Sequence, residues 1–558
     1  MKHAVEAWHA ARYASRSITG GKTKMRKSRL LLLATVAITL PLYARDGAGD
    51  RPVIPRAGAT VEVSLVNVDV VVTDRKGNHV QGLTKDDFEI YEDRQLQPVS
   101  NFSEYQGGRE ATAADGTVAA RPKRTILVFI DHFMLLPQRQ HIFFESLKTL
   151  LHSTIGPGDV VSVVSWKGMV VTRLPFTSDL AKLDAVLGKL DKESSGFLPV
   201  EGDLLWREEA MSVAGAQGFK INYRDLEGQS GKDLAFFEAM EMRKKIREIQ
   251  SLVTGISGFE GRKVLLLAAS HLSGVVGGVG RTTRDDDYST YASIQSLARI
   301  AATNNVTIYP LYPTGLATDM VSAEHVRSFN GGGHAQETLY STLGSMYPIA
   351  EQTGGVVSWG VENIADFLPQ LRTDLDSYYS LAYRATARGS GADRSIVVRM
   401  KNHDYTARAR RDYVDKSPEG KMKDRVIASL FQEPAGAKIP ITVAAGAAES
   451  QGRRHWHVPI HVQIPINALT TLPEQGEHAG AFSVYVAWGG VLGEVSDATR
   501  QTQSFSISDM KAAEAKAGHF EYDLTLDVDD RTQNVVIGVT DEVSQEFGIR
   551  KIVLPPRT

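Results

Sequence analysis

The chain contains no cysteine. That removes disulfides, thiolate nucleophiles and cysteine-ligated zinc or iron–sulfur centres at once. It does not argue against export, because a chain of 558 residues can bury enough core to dispense with covalent staples. An excess of either charge is also missing. With 63 Lys and Arg against 65 Asp and Glu, the formal net charge is -2. A general nucleic-acid or anionic-membrane binder carries a basic footprint, so nucleic acid is not an expected partner. Beyond residue 40 no apolar run approaches the ~20 residues of a membrane-spanning helix. The hydrolase signatures G-x-S-x-G and H-E-x-x-H do not occur.

What is present begins with an address. "MRKSR" (25–29) is basic, residues 30–40 are apolar, and "PLYA" (41–44) brings Pro41 and the small residue Ala44. This is the grammar of a secretory signal peptide. Residues 1–44 are therefore read as a signal region, with Met25 the expected true start and an uncleaved N-terminal anchor as the alternative. The mature protein is expected to be periplasmic or extracellular, with no membrane span once the signal is removed.

After a Gly-, Pro- and Arg-containing linker, "VEVSLVNVDVVVTDRKGNHVQGL" alternates Val66, Val68, Val70 and Val72 with other residues, the period of a strand. Residues 58–105 read as a small β module. From residue 124 strands alternate with amphipathic helices, the pattern of a sheet covered on both faces. "RTILVFID", "RKVLLLAAS" and "VTIYPLY" are its buried strands. A helix stripe follows Phe237, Met240, Ile246, Ile249, Val253 and Ile256. Three more strands are expected over 376–413. A charged linker over 414–424 leads to a strand-rich segment, 425–558, whose spacing suggests a β-sandwich.

The order of elements and several motifs resemble the von Willebrand factor type A-related domain proteins typical of Acidobacteria. The resemblance is carried by "VVVTDRKGNHVQGLTKDDFEIYEDRQLQPVSNF", by "ILVFIDHF", and by "AEQTGG" followed by "DLDSYYSLAYRA" and "ARARRDY". It covers about residues 60–555. It implies an α/β fold in which a Rossmann-like type A domain (124–413, with insertions and a C-terminal β extension) is flanked by the small N-terminal β domain and the C-terminal β-sandwich. It is not a nucleotide-binding Rossmann domain, since no G-x-G-x-x-G follows the first strand.

Type A domains often hold Mg²⁺ at the carboxyl ends of their strands, in a metal-ion-dependent adhesion site built from Asp-x-Ser-x-Ser, a Thr and a second Asp. Mg²⁺ demands near-octahedral oxygen coordination. Asp131 matches the first Asp, but Phe133 and Leu135 stand at the two serine positions. "LLLAASHLSG" offers Ala269, Ser270 and His271 where the second carboxylate belongs. Thr177, or Ser194 or Ser195, would supply the Thr. The site is therefore read as degenerate, with Asp131 its one weak metal candidate, no cofactor expected, and a strand-end carboxylate capping a helix as the plain reading of Asp131. Candidate residues of a ligand face are Asp131, His132, Thr177, Ser270 and His271.

Elsewhere, His455, His457 and His461 share one strand face by their even spacing, and "DVDD" (527–530) reads as a hairpin turn. Arg408 and Arg410 read as solvated gatekeepers of an edge strand. The expected function is a non-enzymatic protein-interaction or adhesion-like role toward an unidentified protein or cell-surface ligand. The rivals are metal-dependent ligand binding with rebuilt coordination, or a hydrolase using Asp131, His132 and His271. N-terminal sequencing of the exported protein should return Arg45 as the first residue; a chain still beginning upstream of Leu30 would overturn the cleaved-signal reading.

Overall fold

The computed structural model describes residues 65–554 apart from 108, 111–122, 133–134, 136, 195–222, 270–271, 273–289, 314–343, 359–363, 386–388, 433–435, 453, 475, 491–494 and 531. The expected signal region lies outside the described residues.

The N-terminal strands are β1 (Leu65–Thr73), β2 (Phe88–Glu92), β3 (Gln95–Gln97), β4 (Asn101–Gln106) and β5 (Arg109–Glu110). A central sheet follows: β6 (Arg124–Asp131), β7 (Val160–Trp166), β8 (Val170–Thr177), β9 (Arg262–Ala268) and β10 (Val306–Leu311). Its order is β10-β9-β6-β7-β8. All neighbours run parallel except β8, which returns antiparallel to β7. Parallel sheets are covered on both faces, so their strands are apolar throughout. In β6 every residue is buried.

The faces of this sheet are covered separately. Ile126, Val128 and Ile130 join the cluster formed by α1 (Pro137–Thr154), α2 (Leu180–Lys192) and the later helix Ile364–Asp376. Leu127 and Phe129 face α3 (Tyr223–Gly255) and α4 (Tyr291–Thr303), together with Met346 and Ile349. Each such side chain contributes roughly 1.5–3 kcal/mol by leaving water. The α3 stripe differs from expectation at one position: Met240 is exposed and Met242 is buried. Of Phe237 only the helical backbone is described. Taking α5 as the helix over 344–353 and α6 as Ile364–Asp376, the chain then enters β11 (Tyr378–Arg384), β12 (Asp393–Met400), β13 (Thr406–Arg408) and β14 (Asp412–Val414).

These strands correct the expectation that 58–105 closes as a module of its own. β1 pairs with β11 and β13, β4 pairs with β11, and β2 pairs with β12. Val66, Val68, Val70, Val72 and Ile90 thus share one core with Tyr379, Leu381, Tyr383 and Ile396. The unit is built from both flanks of the α/β core rather than from its N-terminal side alone.

The expected charged linker over 414–424 is also corrected. Ser417 accepts a hydrogen bond from the Gly420 amide at 3.1 Å and caps α7 (Pro418–Ala428), with proline where a helix tolerates it. Close approach seats α7 on both sides. A Cβ on Gly258 would lie 2.2 Å from the Asp424 carbonyl, and one on Gly538 would lie 2.5 Å from Val426.

The remaining strands are β15 (Thr442–Ala445), β16 (Glu449–Gly452), β17 (His455–Pro465), β18 (Leu472–Glu474), β19 (Glu477–Gly490), β20 (Thr499–Ser508), β21 (His519–Asp529), β22 (Thr532–Asp541) and β23 (Phe547–Val553). They form two sheets. Val458, Ile460, Val462 and Leu524 of one pack against Phe482, Val484, Val535 and Ile537 of the other.

The amino end of the central sheet is sealed by arginine. Arg124, 2% exposed, donates Nε and Nη2 to Asp159 Oδ2 (3.1 and 2.8 Å) and Nη1 to Asp376 Oδ1 (2.7 Å). Arg262 donates to the Asp374 carbonyl at 3.0 Å and stacks 4.3 Å from the Tyr378 ring centre. Arg408 grips Asp374 with two hydrogen bonds of 2.8 and 2.9 Å, while Arg410 donates to the Asn67 carbonyl at 2.8 Å. Arg408 and Arg410 are therefore junction residues, not solvated gatekeepers. Arg124→Met leaves Asp159 and Asp376 without their main counter-charge in a buried site, and should cost about 3–5 kcal/mol. Denaturant unfolding checks this; a loss below about 1 kcal/mol would contradict the assignment.

Candidate functional site

Asp131 ends β6 at the carboxyl edge of the parallel sheet, in register with Trp166 of β7. Its side chain does not cap a helix. Asp131 Oδ2 accepts a 2.5 Å hydrogen bond from Lys245 Nζ, and both residues are buried. Lys245 comes from α3, on the stripe that buries Met242, Ile246, Ile249 and Val253. It sits three residues after Met242 and four before Ile249, so the stripe's own geometry aims it inward. Asp131 Oδ1 is buried with no hydrogen-bond partner among the described residues.

His132 is buried beside it, edge-on to Phe144 with ring centres 6.1 Å apart. Neither ring nitrogen has a hydrogen-bond partner among the described residues. Burial, and then the positive charge of Lys167, pulls its pKa from 6.5 down to about 4. The nearby polar groups are committed to one another. Arg173 holds both oxygens of Glu193 at 3.1 Å and donates to Ser165 Oγ at 2.7 Å. Lys167 adds a 3.3 Å contact to Glu193 and donates to the Ser194 carbonyl at 2.9 Å. Burial alone would raise the Glu193 carboxyl; Arg173 and Lys167 outweigh it and hold the group below its ordinary value. Gln140 of α1 donates to the Asp191 and Glu193 carbonyls (2.5 and 2.9 Å), satisfying the open end of α2. Lys244 donates to the Gly168 carbonyl at 2.7 Å and lies 5.6 Å from the Trp166 ring centre.

Thr177 does not join this site. Because β8 runs antiparallel, Thr177 pairs with Val161 at the start of β7. That is five residues, or about 17 Å, from the end of the strand where Asp131 sits. Thr177 Oγ1 instead accepts from the Asp179 amide at 3.1 Å, beside the Asp179 cap of α2. Leu135 is fully buried in the core on the α1 face. Ser270, His271, Ser195 and Phe133 lie outside the described residues. Sequence reasoning missed Lys245, Arg173 and Glu193. For Lys245 the one available signal was its place on the apolar stripe.

The histidine row on the C-terminal sheet is as spaced. His455, His457 and His461 point outward from β17, directly across from Asp529, Asp527 and Asp523 of β21. His461 Nδ1 meets Asp523 Oδ1 at 2.6 Å. Among the described residues no three His, Asp or Glu are assembled as a metal cage. In the "DVDD" stretch, Asp529 accepts from the Thr532 amide and hydroxyl (3.0 and 3.1 Å), fixing the hairpin into β22.

No family model matches the chain, and no curated protein matches it. Among solved structures, the conserved hypothetical protein BatB from Bacteroides thetaiotaomicron is similar at 12% identity and TM-score 0.23, over 46% of this chain and 97% of that one. An aerotolerance-related membrane protein from Bacteroides fragilis is similar at 13% identity and TM-score 0.22, over 46% and 98%. Proximal thread matrix protein 1 from the mussel byssus, with a zinc-occupied metal-ion-dependent adhesion site, is similar at 10% identity and TM-score 0.24, over 48% of each chain. Likenesses this distant carry no argument about function. The mixed α/β core, with its several sheets, is compatible with a type A-like domain. No helix among the described residues is long and apolar enough to cross a membrane.

The lowered His132 pKa has a thermodynamic sign. The unfolded chain takes up a proton near pH 6.5 that the folded chain refuses until about pH 4. The stability that neutral His132 contributes is therefore full above 6.5 and lost as pH falls toward 4, up to roughly 3 kcal/mol. His132→Phe should flatten that decline relative to the unsubstituted protein, as read by denaturant unfolding at stepped pH. Parallel pH curves for the two proteins would refute it.

Proposed function

We propose that this chain is an exported, non-enzymatic protein-interaction or adhesion-like protein that presents the carboxyl-end face of its parallel sheet to a protein or cell-surface ligand. The observation that carries this reading is the position of Asp131 at the end of the central strand, at the edge where open α/β sheets bind their ligands. The opposite edge is taken up by the arginine junction with β11 and β13. The basic leader over 25–29 and its apolar run support export.

The engagement of Asp131 by Lys245 weighs against the hydrolase reading. A general base has to be oriented by a partner and within reach of its substrate proton. Asp131 is engaged by Lys245 and His132 is buried, while His271 lies outside the described residues. The surrounding charges form a closed ion-pair set, Arg173–Glu193–Lys167, suited to shaping a rim.

The test is cross-linking mass spectrometry on the exported fraction with lysine-reactive reagents. Cross-links to a partner should concentrate at Lys167 and Lys244, and Met169→Glu, on the exposed turn between β7 and β8, should reduce them at least about tenfold, the effect of ~1.4 kcal/mol. Lys438→Glu on the C-terminal unit serves as the control. Cross-links confined to that unit and indifferent to Met169→Glu would place the ligand surface elsewhere.

A further inference from the structure

The type A resemblance raises the expectation of Mg²⁺ at this strand end, and the residues present do not fit that ion. Mg²⁺ takes six oxygen ligands at 2.0–2.1 Å and sheds water reluctantly. Among the described residues one carboxylate is in place at this strand end, and one of its oxygens already accepts from an ammonium at 2.5 Å. Leu135 fills core where a hydroxyl would be needed, and Thr177 lies at the far end of the sheet. Asp131 Oδ1, with no hydrogen-bond partner among the described residues, adds a single acceptor, and the described residues fall far short of an octahedron.

We propose that Lys245 is the resident cation of this strand end: its ammonium takes the place at Asp131 that a divalent ion would occupy, and the face works without metal. Three features of the molecule favour this. Asp131 and Lys245 are 1% and 5% exposed, so the charges are removed from water together and the ammonium compensates the carboxylate. The ammonium is not borne on a free surface side chain, since α3 is anchored on either side of it by Met242, Ile246 and Ile249. The next residue of the helix, Lys244, is held by the Gly168 carbonyl and the Trp166 ring. Any divalent ion approaching Asp131 would meet the Lys245 ammonium and would have to displace it.

The consequence for binding, that engagement of a partner survives chelation, rests on the reading of this face given above. The electrostatic assignment itself does not. The experiment separates them, using the mature full-length chain. Thermal unfolding is followed with EDTA and with Mg²⁺, Mn²⁺ or Ca²⁺, for the unsubstituted protein and for Lys245→Met, Asp131→Asn, their combination and Lys245→Arg. The unsubstituted protein should shift by less than about 1 °C with any addition, because a ligand that does not bind the folded state cannot stabilise it. Lys245→Met, which strands a buried carboxylate, should lower the Tm on the order of 10 °C. The double variant, with no stranded charge, should recover more than half of that loss. Lys245→Arg, which keeps the charge, should fold and stay indifferent to metal, and it preserves the test if Lys245→Met does not fold. A saturable rise in Tm with Mg²⁺ or Mn²⁺ in the unsubstituted protein would overturn the proposal, as would a double variant no more stable than Lys245→Met. Partner cross-linking repeated in EDTA then reads the other question. Its loss, alongside metal-indifferent unfolding, would count against the binding face and leave the Lys245 assignment standing.

Discussion

A strand buried along its whole length can end in a charge only if a counter-charge is buried with it. β6 does this twice. Its first residue, Arg124, meets Asp159 and Asp376; its last, Asp131, meets Lys245. Removing an ion from water costs several kcal/mol, which its partner repays only in good geometry. Neither end is therefore a reservoir of stability. What the pairs supply is position. Arg124 forces the end of α6 and the loop before β7 to converge on one point, and Asp131 fixes where along α3 a lysine must fall. The apolar residues between them would tolerate small slips of the covering helices; the two charges do not.

The amino-end charges also bind the parts of the molecule into one. Arg262 and Arg408 converge on Asp374 at the end of α6, immediately before β11 begins. β11 is paired with β1 and β4 from the other end of the chain, so the covering unit is held by strand pairing on one side and by guanidinium contacts on the other. α7 repeats the device at the next boundary, packed against Gly258 of the core and Gly538 of the C-terminal sheets at distances that leave no room for a side chain. Arginine suits such a seam because its planar fork keeps its charge and satisfies several acceptors at once.

How far the sequence reveals all this depends on whether the cause is local. Buried parallel strands are legible because a run such as Ile126–Ile130 has no other soluble home, and the stripes of α1 and α2 follow the helical period. The pairing of residues 65–106 with 378–414 is not legible, since nothing in a strand names a partner some three hundred residues away. Thr177 falls at the far edge because β8 runs antiparallel to β7, and a hydroxyl's identity does not say which end of such a strand it serves. Arg408 and Arg410 look like surface charges in a polar run; only the packed carboxylates and carbonyls show otherwise. Lys245 sits in the basic run "RKKIRE", where lysine ordinarily means solvent. Its neighbours at three and four residues are the clue, and a stripe drawn through Met240 instead of Met242 obscures it.

A cation on a side chain differs from a cation in solution in one respect that bears on function. A bound metal exchanges with the medium, so the charge at its site follows ion concentration, and binding at that site is linked to it. Lys245 cannot leave. Its local concentration is fixed by the helix that carries it, and the charge at Asp131 stays balanced whatever ions surround the protein. The remaining electrostatics of the strand end then come from groups that are likewise tethered: Arg173 and Lys167 set against Glu193, and Lys244 against the face of Trp166. On the proposed reading, a face built this way gives up regulation by metal. In exchange, its charge pattern is fixed by the fold, and on that same reading discrimination among partners would have to come from the shape and hydrogen bonding of the rim rather than from an ion that several acidic ligands could share.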